Sequence, residues 1–310
     1  MSTGLTDRVP GATPTFTDRL IQAVEEKRSQ IVVGLDPRVD LLPVELRGDA
    51  HVGPATSALA VERFCKSVID AVAPNVIAVK PQLAFFESLG HHGIKALEEV
   101  AAYARSADLL VLLDGKRGDI GSTARAYAEA YLEAPDGETP LGDALTINPY
   151  LGGDSIEPFV AAIRRSGGGV FCLVKTSNAG SSDLQDIELS DGRPLWHHVA
   201  ELVEQWGEGS VGTDGLSNVG AVVGATYPRA VAEARRLLPR SVLLLPGVGA
   251  QGASAGDVAR AFTSGPASAL VAASRTIIYS YRTSGESDWR ASIAQASAAL
   301  RGEVWTASGW

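Results

Sequence analysis

Eight short apolar runs, separated by segments of helical periodicity, constrain this chain more than any other feature. They are IVVGLD (31–36), NVIAVKP (75–81), LLVLLD (109–114), ALTINPY (144–150), GVFCLVK (169–175), VGAVVGAT (219–226), VLLLPGVG (242–249) and ALVAASR (269–275). The runs are continuous rather than alternating, as expected for parallel strands covered on both faces. Between them apolar and charged residues recur at three- and four-residue spacing, at 61–72, 94–105, 122–134, 157–165, 195–206, 227–238 and 257–263. Further helices flank the set at 17–28 and 288–301. Strand–helix alternation repeated eight times predicts an α/β chain closed into a single (β/α)8 TIM barrel. The rival is a doubly wound open sheet. The glycine pattern GVGAQG (247–252) follows the seventh run rather than the first, which disfavours a dinucleotide fold.

No Pro/Ser-rich linker splits the 310 residues, so the expectation is a flexible tail over 1–14 and one catalytic barrel over 15–310. The long connections, 37–60 and 176–218, carry Gly, Ser and Asp and read as loop insertions. A formal net charge of −9 argues against nucleic acid or an anionic membrane as partner, since both need a basic face. An anionic small molecule then requires local positive groups. No apolar stretch approaches a membrane span, and the polar start of the chain does not resemble a signal peptide, which points to a cytoplasmic protein. Cys65 and Cys172 sit in apolar contexts without metal-type spacing and read as buried free thiols. The five histidines show no ligand-like pattern, so neither a metal nor a cofactor is expected.

The third run leads straight into Asp114, Gly115, Lys116, Arg117, Gly118, Asp119 and Ile120. An apolar run closed by glycines predicts a buried strand that ends in a turn here. Side chains two apart on a strand share a face, so Asp114 and Lys116 project the same way, roughly 7 Å apart along the backbone. Charges at the mouth of a buried strand are costly unless they satisfy one another or a ligand. The bland alternative makes Asp119 a helix cap and leaves Lys116 and Arg117 as solvated turn residues.

Other strand ends supply matching pieces. Asp36, Lys80, Asn148-Pro149, Lys175-Thr176-Ser177, Gly224-Ala225 and Arg275 all fall where barrel enzymes build their sites. The loop GVGAQG leads towards a helix near residue 255, so its N–H groups and a helix N-terminus suit a phosphate. Arg275 offers a planar fork to the same oxygens. A phosphorylated substrate is expected.

DGKRGDI matches an Asp-x-Lys-x-x-Asp-Ile signature, and GLDP, VKPQLAFFE, INPYLGGDS, VKTSNAGSSDLQD, PGVGAQG and SRTIIY accompany it. In these motifs the chain resembles the orotidine 5′-phosphate decarboxylase family, especially its longer bacterial branch, over roughly residues 30–282. The resemblance implies cofactor-independent loss of CO₂ from C6 of orotidine 5′-phosphate, giving uridine 5′-phosphate in pyrimidine synthesis. It implies that Lys80, Asp114, Lys116 and Asp119 form an alternating network, with Asp119 reaching across a homodimer interface into the neighbouring site. Asp36 and Lys80 would hold ribose hydroxyls, and Ile120 and Thr123 would join Asp119 on the partner's ligand. Ser177, or its neighbour Thr176, would address the pyrimidine, and Pro149 belongs to the substrate-binding set. Gly249, Gln251 and Gly252, with Arg275, match the phosphate grip. Lys116 would stabilise and then protonate the C6 carbanion, while Asp114 and Asp119 hold it in place.

Three rival readings remain for the same residues. A relative acting on keto-sugar phosphates would use the signature with Mg²⁺. A Schiff-base aldolase would use a barrel lysine as nucleophile. A binding or scaffold barrel would keep the pocket without turnover.

Overall fold

A computed structural model of the chain describes residues 14–48, 50–135, 138–249 and 252–310. Eight strands carry the apolar runs: β1 (Ile31–Leu35), β2 (Ala78–Pro81), β3 (Leu110–Arg117), β4 (Ala144–Ile147), β5 (Gly169–Lys175), β6 (Ser217–Val223), β7 (Ser241–Pro246) and β8 (Ala269–Ala273). Each pairs in parallel with the next, and β8 returns to β1, so the sheet closes as a barrel. Helices follow β1 to β6 at Pro54–Val72, Gly90–Ser106, Gly121–Leu132, Gly153–Ser166, Leu195–Gly207 and Pro228–Leu237. The open-sheet alternative is thereby excluded.

The apolar residues divide into two cores because successive side chains on a strand face opposite ways. Ile31, Val33, Val111, Leu113, Val170 and Cys172 point outward and pack under the helices. Val32, Ala78, Leu112, Ala144, Phe171, Leu270 and Ala272 point inward and fill the barrel. The helix Phe16–Lys27 closes the floor, started by a reciprocal cap between Thr15 and Asp18. Its Phe16 sits edge-on to Phe171 at 5.9 Å. A side chain at Gly169 would lie 2.5 Å from the Phe16 ring, so only glycine lets the plug approach.

Several boundaries differ from the sequence expectation, four of them for a clear local reason. β3 does not stop at Asp114 but runs on to Arg117, with Asp114 bridged to Gln82 and Arg117 in register with Ile147. Pro54 starts the first barrel helix seven residues early, because its fixed φ suits a first turn that carries no apolar signal. The segment after β7 forms a 3-10 helix, Ala255–Phe262, rather than an α-helix. The last helix, Trp289–Ser308, runs on to a left-handed Gly309. Between β5 and β6, residues 176–194 hold a 3-10 turn at Ala179–Asp183 and a bridge from Glu188 to Pro194 before the helix Leu195–Gly207 begins.

Both cysteines are buried free thiols. Burial pushes Cys172 up to about 12. Among the described residues no helix is long and apolar enough to cross a membrane.

Candidate active site

The inward-facing columns that fill the barrel with Val32, Ala78, Leu112, Ala144 and Leu270 end, at the C-terminal mouth, in polar residues. Continuing each column by steps of two gives Gly34 and Asp36, Lys80, Asp114, Thr146 and Ser274. Lys80 and Asp114 are only 8% and 7% exposed. Lys80 Nζ donates to Asp114 Oδ2 at 2.5 Å, and Lys116 Nζ donates to Asp114 Oδ1 at 2.5 Å. Thr146 Oγ1 donates to the same Oδ1 at 3.0 Å, so both carboxylate oxygens are engaged. Burial by itself would raise the Asp114 carboxyl, but the two ammonium groups and their hydrogen bonds outweigh it and hold it well below the usual carboxylate range. Burial likewise opposes the charge on Lys80, yet Asp114 and then Asp36 prevail and raise its amine.

Lys116 departs from the strand in its backbone. Its φ is +46°, one of three positive values at described non-glycine residues. Such a conformation costs of order 1–3 kcal/mol and tends to mark functional sites. The Lys116 N–H donates to Thr146 Oγ1 at 3.0 Å, so Thr146 holds both the bulge and the carboxylate. The next residue anchors the other way: Arg117 bonds Glu87 and, at 2.9 Å, the Tyr131 hydroxyl. Its guanidinium also lies 5.6 Å and 5.4 Å from the Tyr127 and Tyr131 ring centres. Arg117 is therefore a packing anchor rather than a solvated turn residue.

Two cavities adjoin this cluster. The larger, about 460 Å³, is lined by Lys80, Asp114 and Lys116 on one side and by Thr176, Ser177 and Gln185 on the other. Gln185 accepts from the Thr176 N–H at 2.9 Å and donates to its hydroxyl at 2.8 Å; that hydroxyl in turn donates to Asn178. Ser177 also lines the cavity, and its hydroxyl has no hydrogen-bond partner among the described residues. A side chain at Gly224 would lie 2.9 Å from Ser177 Cβ, so that glycine admits the Ser177 turn. Lys175 does not line the cavity. It is 3% exposed, pairs with Asp186 at 2.7 Å and sits 5.1 Å from the Tyr227 ring centre, which ties down the loop after β5.

The smaller cavity, about 130 Å³, lies between the ends of β1, β2, β7 and β8. Asp36, Lys80, Gly247, Ser274 and Arg275 face it. Asp36 Oδ1 and Ser274 Oγ are both buried without a hydrogen-bond partner among the described residues. Two orphaned polar atoms beside one cavity call for a polar ligand, since each unpaired atom costs of order 1–3 kcal/mol. Gly34 makes room here, because a Cβ on it would lie 2.7 Å from Ser274 Cβ. Arg275 opens the short helix Arg275–Ile278, is exposed, and pairs with no carboxylate among the described residues.

The glycine loop is partly engaged in its own turn. The amides of Gly249 and Gly252 are spent within the turn, on Ala253 and Gly249 carbonyls. The helix beyond it begins at Ser254 with a reciprocal cap to Asp257, so its N-terminus already faces a carboxylate. Gln251 lies outside the described residues.

Four named residues stand apart from the cluster. Among the described residues Asp119 accepts only from the Ile120 N–H, at 2.8 Å, and pairs with neither lysine. Ile120 is 55% exposed, Thr123 is exposed one turn later, and Pro149 opens a turn carrying exposed Tyr150 and Leu151. None of these four lines either cavity. Thr146, Gln185 and Ser274 were missed by the sequence reading. For Thr146 and Ser274 the signal was present as the step-of-two continuation of an inward column.

A lysine–aspartate–lysine cluster over the mouth of a closed parallel barrel, beside an arginine-edged cavity, is the arrangement of a barrel enzyme for a phosphorylated small molecule. The chain belongs to the orotidine 5′-phosphate decarboxylase / HUMPS family, whose profile matches residues 29–287. The orotidine 5′-phosphate decarboxylase of Rhodopirellula baltica is 47% identical over 288 residues, covering 90% of this chain and 95% of the relative. That of Deinococcus radiodurans is 46% identical over 267 residues, covering 86% and 90%. The solved structure of Leishmania donovani OMP decarboxylase superposes with a TM-score of 0.73 at 34% identity, covering 96% of this chain and 99% of that one.

Proposed function

We propose that this chain decarboxylates orotidine 5′-phosphate to uridine 5′-phosphate, with residues 15–310 as the catalytic barrel. The observation that carries the reading is the buried Asp114, held between Lys80 and Lys116 at the mouth of a barrel of this family. The pyrimidine enters the larger cavity with Ser177 at its edge. The ribose meets Asp36 and Lys80, and the phosphate meets Arg275 with the Ser274 hydroxyl.

In this pose C6 lies over Lys116 Nζ. The bond from C6 to the carboxylate breaks, CO₂ leaves, and the electron pair remains on C6. The ring has no carbonyl positioned to delocalise that pair, so an ammonium fixed beforehand beside C6 is the stabilising element. Lys116 then gives a proton to C6 and recovers one from solvent. Asp114 aims the ammonium. Remote contacts to phosphate contribute binding energy that holds the ring in place.

Asp119, Ile120 and Thr123 serve the site of a second copy in a homodimer. Support comes from Asp119 pairing with neither lysine among the described residues, from the absence of all three from the lining of the two cavities, and from the exposed Ile120, Tyr150 and Leu151 around them.

The geometry disfavours two rivals. Both oxygens of Asp114 face ammonium groups, which repel a divalent cation. Lys80 is pushed towards its protonated form, whereas an aldolase lysine attacks as the free amine. Purified protein given orotidine 5′-phosphate in EDTA should show loss of the substrate's ultraviolet absorbance. No loss, loss that needs added metal, or irreversible trapping by borohydride contradicts the proposal.

A further inference from the structure

Tyr279 is a buried group that the chemistry above leaves unused. It follows the short helix Arg275–Ile278, is 7% exposed, and its N–H bonds back to the Arg275 carbonyl at 3.2 Å. Its ring stacks on Phe64 at 5.9 Å and 10°. Its hydroxyl accepts from the Arg38 N–H at 2.7 Å and donates to the Asp36 carbonyl at 2.9 Å. Those two groups flank Pro37, which has no N–H of its own to fix the turn. One phenol thus closes the backbone on both sides of Pro37, directly after Asp36. Burial, above all, pushes the phenol up from its ordinary value, so it keeps the proton it donates. The Asp36 carboxylate needs this support, because its buried Oδ1 has no hydrogen-bond partner among the described residues to aim it.

We propose that Tyr279 is a positioning residue for substrate binding: it straps the Asp36 turn to the Arg275 helix and so fixes the spacing between the two. The proposal rests on the reading above, in which Asp36 takes ribose hydroxyls and Arg275 takes phosphate. The carboxylate and the guanidinium then meet one nucleotide at a set distance, without Tyr279 touching it.

Tyr279→Phe keeps the ring and its stack but loses both hydrogen bonds. KM for orotidine 5′-phosphate and Kd for uridine 5′-phosphate should each rise roughly tenfold, with kcat within about threefold of wild type. Asp36→Ala should weaken the same two constants. The double variant should be no weaker than Asp36→Ala alone, because Tyr279 acts through Asp36. Unchanged constants in Tyr279→Phe, or penalties that multiply in the double variant, overturn the proposal. So does a loss of kcat and thermal stability with KM and Kd unmoved, which marks a merely structural tyrosine. Absence of wild-type turnover defeats the decarboxylase reading instead, and the calorimetric Kd for uridine 5′-phosphate still decides the strap.

Discussion

Asp114 organises the mouth of the barrel, and its ionisation sets a pH signature. Its folded pKa lies below the unfolded one, so on acidification the unfolded chain takes up the proton first. The stability it contributes is complete above the ordinary carboxylate value, near 4, and drains away as pH falls towards the folded value. Thermal midpoints of the wild type should therefore fall below about pH 4 by more than those of Asp114→Asn, and equal acid slopes for the two chains count against the pairing. At neutral pH the same substitution leaves Lys80 buried and unpaired, at a cost of about 3–5 kcal/mol. Arg275 gives a second residue-scale expectation. Arg275→Ala should weaken uridine 5′-phosphate at least about tenfold and leave uridine nearly unchanged, since only the nucleotide carries the dianion. Equal losses in calorimetry would move Arg275 off the phosphate. Asp36, Lys80, Asp114 and Lys116 were legible in the sequence, because a charge that terminates a buried run has few bland explanations. Thr146 and Ser274 were not. A small hydroxyl within a run read as continuously apolar does not stand out until inward and outward positions are separated.

At the scale of elements, β3 carries more than its run of leucines announces. It continues through the charged signature as an irregular strand, shifting register between Leu113 and Arg117. The glycines beside Lys116 read as a turn, but pairing to β4 and the anchoring of Arg117 on Tyr131 keep the segment on the sheet. Thr146 fastens this bulge by donating to Asp114 and accepting from the Lys116 N–H. Thr146→Val keeps the shape and removes both bonds, so stability should drop by about 1–3 kcal/mol and turnover should fall with it. Denaturant titration and kcat together check this; a variant as stable and as active as the wild type means the bulge holds itself. The helix starting at Pro54 and the 3-10 segment Ala255–Phe262 were misread at their boundaries for a related reason. Apolar periodicity reports the buried stripe of a helix, not its solvent-facing first turn or the tightness of its winding.

The whole barrel was the most legible feature of all, since eight buried runs alternating with amphipathic segments leave a closed parallel sheet as the compact solution. Assembly is less legible, because one chain's sequence records its own strand ends but not what faces them. Asp119, which among the described residues pairs with neither lysine, gives assembly a test. Lys116→Ala and Asp119→Ala chains, each inactive alone, should regain up to about a quarter of wild-type activity after subunit exchange, because a mixed dimer of two equivalent interfaces keeps one intact site. Verified exchange without regained activity would place Asp119 in its own barrel. The central claim, that Lys116 stabilises and protonates the departing carbanion, is read most directly in Lys116→Ala itself. Turnover of orotidine 5′-phosphate should fall at least about a thousandfold, since each 1.4 kcal/mol of lost transition-state stabilisation costs a factor of ten. Uridine 5′-phosphate binding to the same variant should stay within about tenfold of wild type, because the phosphate and ribose contacts are untouched. A Lys116→Ala chain that retains a tenth of wild-type turnover contradicts the account.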